Sequence, residues 1–141
     1  MSNFKKSWIV FCDSQDIKNR FMKPNFRHVF LLTKDEFNWY MIDPDYRFLN
    51  IKILPYRADY NLPGKFLINN NKVICILHKK YTNKHLLNPI RLFTCVEIIK
   101  YVLGIQLFCF TPYGLYRKLM KLNVNSSKTI KHVNELKLGV K

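Results

Sequence analysis

The sequence predicts an α+β fold, an antiparallel sheet of about five strands with a cysteine-bearing helix packed on it. Short apolar or alternating segments, bounded by Pro, Asn and Asp, recur through the first half of the chain and are typical of strands. One later segment carries helix start and stop signals at its two ends. The chain has 141 residues, 48% of them hydrophobic, which is enough to bury one core.

The predicted strands follow one another along the chain. They span residues 8–12, 26–33, 37–43, 48–54 and 73–77, with a further short strand over 107–110. Residues 34–36 form the turn between the second and third strands, and Pro55 ends the fourth because proline cannot donate to a sheet. The hairpin turn and the alternating fourth strand favour antiparallel pairing.

Helices are predicted at several places. Asp13 to Asp16 offer N-cap residues for a helix that Pro24 ends. Residues 61–68 fit either a short helix, with Pro63 in its first turn, or a loop. Thr111 followed by Pro112 predicts the start of a helix over residues 111–120.

The most strongly marked helix begins at Cys95. Thr94 to Glu97 reads T-x-x-E, a capping box, and Gly104 suits a left-handed C-terminal cap. Cys95 is then the first helical residue, where the positive end of the helix dipole favours a thiolate over a thiol. The alternative is that Cys95, like most single cysteines in a core, is a small buried hydrophobe.

The other cysteines show no metal-binding or redox spacing. Cys12, Cys75 and Cys109 lie in apolar segments and are predicted to be core residues. The absence of C-x-x-C argues against a zinc ribbon or a thioredoxin-type pair, and nothing indicates an oxidising compartment. We expect no cofactor and no metal.

The chain is strongly basic. It has 24 Lys and Arg against 9 Asp and Glu, a formal net charge of +15, which predicts attraction to nucleic acid or another anionic surface. AT-rich coding would give the same bias in Lys, Asn, Ile and Tyr without any binding role. Residues 1–122 are predicted to form the domain and residues 123–141 a basic C-terminal tail. No membrane span is predicted, and the apolar run at the N-terminus is too short for a signal peptide.

His28 and Asp43 are candidates to complete a site with Cys95. A cysteine nucleophile needs a base within hydrogen-bond reach and a group that orients the base. Pairing of the hairpin around Asp35 places His28 near residue 42 or 43, so that His28 and Asp43 can be cross-strand neighbours. Whether the Cys95 helix packs on the same face cannot be derived from periodicity. His28 as a satisfied core histidine and Asp43 as a turn carboxylate are the alternatives.

Three segments carry a resemblance to a known superfamily. They are the F-R-H segment 23–30, the segment 39–44 that ends in Asp43-Pro44, and the T-C-V-E segment 93–100 with its continuation to residue 116. In this order they resemble circularly permuted papain-like hydrolases of the NlpC type, and more narrowly small phage-encoded proteins of that kind. The resemblance covers roughly residues 8–120 and leaves out the tail.

The resemblance implies a permuted papain-like fold with Cys95 as nucleophile, His28 as base and Asp43 as the group that orients the imidazole. It implies attack on an amide, peptide or peptidoglycan-type bond through an acyl-enzyme. Asp13, Trp39 and Tyr40 are further residues that could line such a site. The alternative is an inactive structural virion protein, associated with a tail or portal, or a host-interaction protein on the same fold.

This resemblance also implies where the protein acts and with what. The expected location is the virion or the host cytoplasm, and the expected partners are the substrate and other virion proteins. The positive charge, rather than the resemblance, adds nucleic acid as a further expected partner through the basic surface and tail. His78 and His85 are expected to be solvated. Core positions are expected for four aromatic residues, with a stacking platform for bases as the alternative: Trp39, Tyr40, Phe108 and Phe110. A zinc site at His78 and His85 lacks any recognisable spacing.

Overall fold

The computed structural model describes residues 4–16, 19–45, 48–79, 94–122 and 130–136. It contains six strands and three helices within these ranges. In chain order they are β1 (Phe4–Cys12), β2 (His28–Lys34), β3 (Asn38–Pro44), β4 (Leu49–Arg57), α1 (Leu62–Ile68), β5 (Lys72–Lys79), α2 (Cys95–Leu103), α3 (Pro112–Leu122) and β6 (Ile130–Leu136).

The strands form one antiparallel sheet in the order β4-β3-β2-β1-β5-β6. The predicted α+β class is therefore confirmed, with one strand more than the five expected. The additional strand comes from the segment 123–141, which was predicted to be a basic tail. Within that segment β6 pairs with β5 at the edge of the sheet, so part of the tail belongs to the domain.

Side chains that alternate along the strands build a core on each face of the sheet. On one face, Ile9 and Phe11 of β1 pack with α2 and α3, and we call this the α2/α3 core. On the other face, Trp8 and Val10 pack with Leu62 of α1, and we call this the α1 core. The result is a sheet covered by helices on both faces.

Helix α2 has the two ends that the sequence predicts. Thr94 is extended, and its Oγ1 accepts the Glu97 N–H at 3.2 Å. Gly104 adopts the left-handed conformation at φ 66°, which glycine reaches without a Cβ penalty. The capping box is only half present, because the Glu97 carboxylate pairs with Lys100. None of the helices in the described ranges is long and apolar enough to span a membrane.

Three element predictions are corrected. In the described part of the helix predicted before Pro24, residues 13–16 and 19–24 form no α-helix, and the Phe21 side chain is 98% exposed instead of packed. Residues 17–18 lie outside the described residues. Residues 107–110 belong to no strand, and lysine side chains rather than a neighbouring strand bind three of their carbonyls: Lys100 binds those of Leu107 and Cys109, and Lys118 binds that of Phe108. Strand β4 continues past Pro55, which is tolerated beside a register shift at the edge of the sheet.

The segment 61–68, which the sequence left open between helix and loop, is helix α1. The Asn61 side chain caps it by accepting the Gly64 N–H at 3.2 Å, and Pro63 lies in the first turn. Its buried Leu62 joins the α1 core. This short helix forms one wall of the groove described below.

Candidate active site

His28 and Asp43 form the fixed part of the site. The Nε2 atom of His28 lies 2.6 Å from Oδ1 of Asp43, and both side chains are mostly buried. The β2–β3 ladder pairs Leu31 with Ile42, a register that would place residue 45 opposite His28. His28 and Asp43 are thus diagonal neighbours, two residues from direct opposition, still within reach of long side chains. The predicted contact is present, in a register shifted from the predicted one.

Cys95 approaches this pair from the N-terminus of α2, which packs on β2 and β3. Burial alone lowers the pKa of His28, but the hydrogen bond to Asp43 and the interaction with the Cys95 side chain outweigh it and raise that pKa to about 9. Since Asp43 occupies Nε2, Nδ1 is the ring nitrogen left for Cys95. The structure therefore brings together all three residues that the sequence singled out.

The cluster forms at the end of the sheet. Cys95 packs against the α2/α3 core, whereas Asp43 and Cys12 line a groove on the α1 side. His28 is the first residue of β2 and pairs directly with Cys12, the last residue of β1. Side chains from both faces can meet around the imidazole because neither strand continues beyond it.

Cys12 is a member of the cluster that the sequence did not reveal. Burial, followed by electrostatic interactions with Asp43, Cys95 and Asp13, raises the pKa of the Cys12 thiol to about 12. The Cys12 thiol therefore stays protonated at neutral pH, and Cys95 rather than Cys12 is the candidate nucleophile. Its predicted role as a core residue is only partly right, since it lies half-buried at the end of β1. The sequence feature that could have indicated this position is that Cys12 directly precedes Asp13, where the apolar run of β1 stops.

A groove of about 380 Å³ runs from His28 along the α1 side of the sheet. Its walls are mainly apolar, and Lys65 and Tyr56 add a polar pair in which Lys65 Nζ donates to the Tyr56 hydroxyl at 2.6 Å. The lining residues are Cys12, His28, Phe30, Met41, Asp43, Leu54, Tyr56, Leu62, Lys65 and Phe66. A depression of about 550 Å³ beside Asp13 and Arg27 contains none of the three candidate catalytic residues.

The residues proposed as additional site-lining groups lie elsewhere or have structural partners. Asp13 forms an ion pair with Arg27 at 3.1 Å, beside the cluster. Trp39 is buried in the α1 core, as the core prediction expected, and does not line the groove. Tyr40 donates its hydroxyl to Asp35 at the β2–β3 turn.

Two other sequence interpretations are wrong for the residues concerned. His78 was expected to be solvated, but it is buried in β5 and its Nε2 lies 2.9 Å from the Ser7 hydroxyl. Phe108 and Phe110 were expected to be core residues, but their side chains are 77% and 51% exposed. His85 lies outside the described residues.

No metal centre is formed by the part of the chain that the structure describes, where no group of three or more His, Cys, Asp or Glu side chains could hold an ion. Comparison of the chain with protein-family models, with curated proteins and with solved structures finds no match. The resemblance to permuted papain-like hydrolases therefore rests on the sequence motifs alone.

Proposed function

We propose that this protein is a cysteine hydrolase of permuted papain-like type, with Cys95 as nucleophile, His28 as base and Asp43 as orienting group. The observation that carries the proposal is the Asp43–His28–Cys95 arrangement. Asp43 holds one imidazole nitrogen at 2.6 Å, and the Cys95 side chain interacts with the imidazole from the start of α2. Covalent acyl transfer needs a nucleophile, a base that contacts it and a group that orients the base.

The chemistry follows from these positions. His28 accepts the proton of the Cys95 thiol, and the thiolate attacks the substrate carbonyl carbon to form a tetrahedral oxyanion. The His28 imidazolium then protonates the leaving amine as the carbon–nitrogen bond breaks and a thioester remains on Cys95. His28 next removes a proton from water, which attacks the thioester and releases the acid and the free thiol.

The start of α2 also supports the oxyanion. The N–H groups of a helix's first turn have no intrahelical partner, and within the described residues Thr94 Oγ1 accepts that of Glu97. The Cys95 N–H is therefore available to the developing negative charge, which the positive end of the helix dipole also stabilises. Removal of one such donor typically costs about 100-fold in kcat or more.

The proposed substrate is an amide bond of a peptide or of peptidoglycan, and the proposed setting is a phage protein acting in the virion or the host cytoplasm. The substrate class is the one that the sequence resemblance implies. The groove between β4 and α1 supports it, because His28 and Asp43 line it, although Cys95 does not. Among the described strands, β6 lies at the opposite edge of the sheet from β4 and does not cover the groove.

Iodoacetamide labelling resolved by mass spectrometry tests the thiolate–imidazole pair. We expect Cys95 to react fastest of the four cysteines at neutral pH, because burial raises the pKa of the Cys12, Cys75 and Cys109 thiols. In His28→Ala, labelling of Cys95 at neutral pH should slow by about tenfold or more, since the imidazolium that stabilises the thiolate is lost.

Cys75→Ala is the matched control, because Cys75 is partly buried in β5 and pairs with Trp8 rather than with the site. It should leave the Cys95 rate unchanged. Slow labelling of Cys95 that does not respond to His28→Ala would refute the proposed active pair and favour an inactive protein on the same fold.

A further inference from the structure

Phe108 and Phe110 project from the loop between α2 and α3, although the hydrophobic effect would favour their burial. Their rings are 4.8 Å apart between centroids in an edge-to-face arrangement, and both are largely exposed. Cys109 between them is buried in the α2/α3 core. Because the two exposed rings contact each other while Cys109 is buried, both rings lie on the outer side of the loop.

The loop that carries the rings is held in place from below. The buried Lys100 ammonium pairs with Glu97 and donates to the carbonyls of Leu107 and Cys109, at 2.9 Å and 3.2 Å. The fixed backbone and the anchored Cys109 leave the rings little freedom to fold back into the core. A rigid aromatic surface of this kind loses little conformational entropy when a ligand binds.

Cations accompany these aromatic rings. Lys118 Nζ donates to the Phe108 carbonyl and lies 5.7 Å from the centre of the Phe108 ring. Further along α3, Lys23 and Arg117 lie 3.7 Å and 5.9 Å from the Tyr113 ring. Residues 98–122 include no Asp or Glu, so no acidic residue of this segment opposes the positive charge of α3.

We propose that Phe108, Phe110 and the cations of α3 form a binding surface for single-stranded nucleic acid. The phosphates would pair with Arg117 and Lys118, and unpaired bases would stack on the exposed rings. A duplex keeps its base faces inside the stack, so it offers only its phosphates to this surface. A second copy of this chain is a poor occupant, because two molecules of net charge +15 repel each other.

Fluorescence anisotropy with the full-length chain tests the surface, using oligothymidylate and oligouridylate of about twelve nucleotides and a duplex of equal length. We expect both single strands to bind more tightly than the duplex at the same salt concentration. Phe108→Ala and Phe110→Ala should each weaken single-strand binding by about tenfold and leave duplex binding nearly unchanged. Because both rings are exposed, the melting temperature should stay close to that of the wild type.

Phe37→Ala is the matched control, since Phe37 is 74% exposed but lies at the β2–β3 turn beside Asp35 and Glu36. It should bind like the wild type. Arg117→Gln should weaken binding of all strands and reduce the slope of log K against log salt by about 0.7 for single strands, as loss of one phosphate contact predicts.

Competition with polymers that lack bases distinguishes the partner classes. Inorganic polyphosphate and polyglutamate of matched charge should compete less well than oligothymidylate for binding to the wild type. This advantage of oligothymidylate should shrink in Phe108→Ala, which keeps only the Phe110 ring. Equal competition against the wild type would overturn the proposal in favour of a general polyanion or acidic-protein surface. Wild-type affinity in folded Phe108→Ala and Phe110→Ala proteins, or no binding at low salt, would also overturn it.

Discussion

His28 shows how single residues at the site depend on their neighbours. On its own, burial of the imidazole would lower its pKa, yet the contacts with Asp43 and Cys95 raise it to about 9. The charged imidazolium is thus stabilised in a mostly buried position, and it can donate a proton to a leaving amine at neutral pH. The pKa of the neighbouring Cys12 thiol is also raised, but for a thiol this favours the neutral form, which is unreactive.

The raised pKa of His28 makes stability depend on pH. A histidine in the unfolded chain has a pKa of about 6.5. The contribution of His28 to the free energy of unfolding is therefore complete below that pH and is lost as the pH rises towards about 9. In Asp43→Asn the pKa of His28 should fall, and the loss of unfolding free energy between about pH 6.5 and about pH 9 should become smaller. Urea unfolding across this range and NMR titration of the imidazole measure both effects.

Asp13→Asn is the appropriate comparison, because Asp13 is a nearby carboxylate that pairs with Arg27 instead of His28. It should leave the titration of His28 almost unchanged. If Asp43→Asn and the wild type had the same pH dependence, the 2.6 Å contact between His28 and Asp43 would not be what stabilises the charged imidazolium.

At the level of elements, α2 connects the two surfaces proposed to be functional. Its first residue is Cys95, and its Lys100 fixes the loop that presents Phe108 and Phe110. The capping-box motif predicted that Glu97 would bind the backbone at Thr94, but Glu97 pairs with Lys100 instead. A buried ammonium with a carboxylate and two carbonyl acceptors is well satisfied, and this explains why a lysine occupies a buried position.

Lys100→Met should lower the free energy of unfolding by about 3 kcal/mol, because it leaves the Glu97 carboxylate and two carbonyls without their partner. Chemical denaturation measures the change. Lys121→Met, on the exposed surface at the end of α3, should stay within about 0.5 kcal/mol of the wild type. Similar stabilities for both variants would mean that the Lys100 contacts contribute little to folding.

For the molecule as a whole, the sheet extends across the boundary that the sequence suggested. Charge and composition marked residues 123–141 as a tail, yet β6 pairs with β5 from Val73 to His78. The periodicity of the segment did not reveal this strand. A short segment at a sheet edge becomes a strand by pairing with the exposed N–H and C=O groups of its neighbour, and its own pattern does not show that neighbour. The long separation in sequence between β5 and β6 hides that partner.

Truncation after residue 122 should lower the melting temperature by several degrees, because it removes β6 and exposes the edge of β5. Truncation after residue 136 keeps β6 and should melt close to the full chain. Thermal unfolding with light scattering measures both stability and association of the exposed edge. Equal melting temperatures for the two truncated proteins would show that β6 is not needed for the stability of the domain.

The sequence by itself determined the elements with local signals. Alternation and turn residues located β1 to β5, and Thr94 and Gly104 located both ends of α2, because strand periodicity and helix caps act over a few residues. The motifs also mark Cys95, His28 and Asp43 as candidate site residues.

Only the tertiary structure decided how these elements combine. It placed Cys12 beside His28, turned Phe108 and Phe110 outwards, buried His78 against Ser7 and added β6 to the sheet. Each of these depends on partners far away in the chain, whose positions no local pattern encodes. The same long-range packing brings the start of α2 to the start of β2, where a cysteine, a histidine and an aspartate lie together.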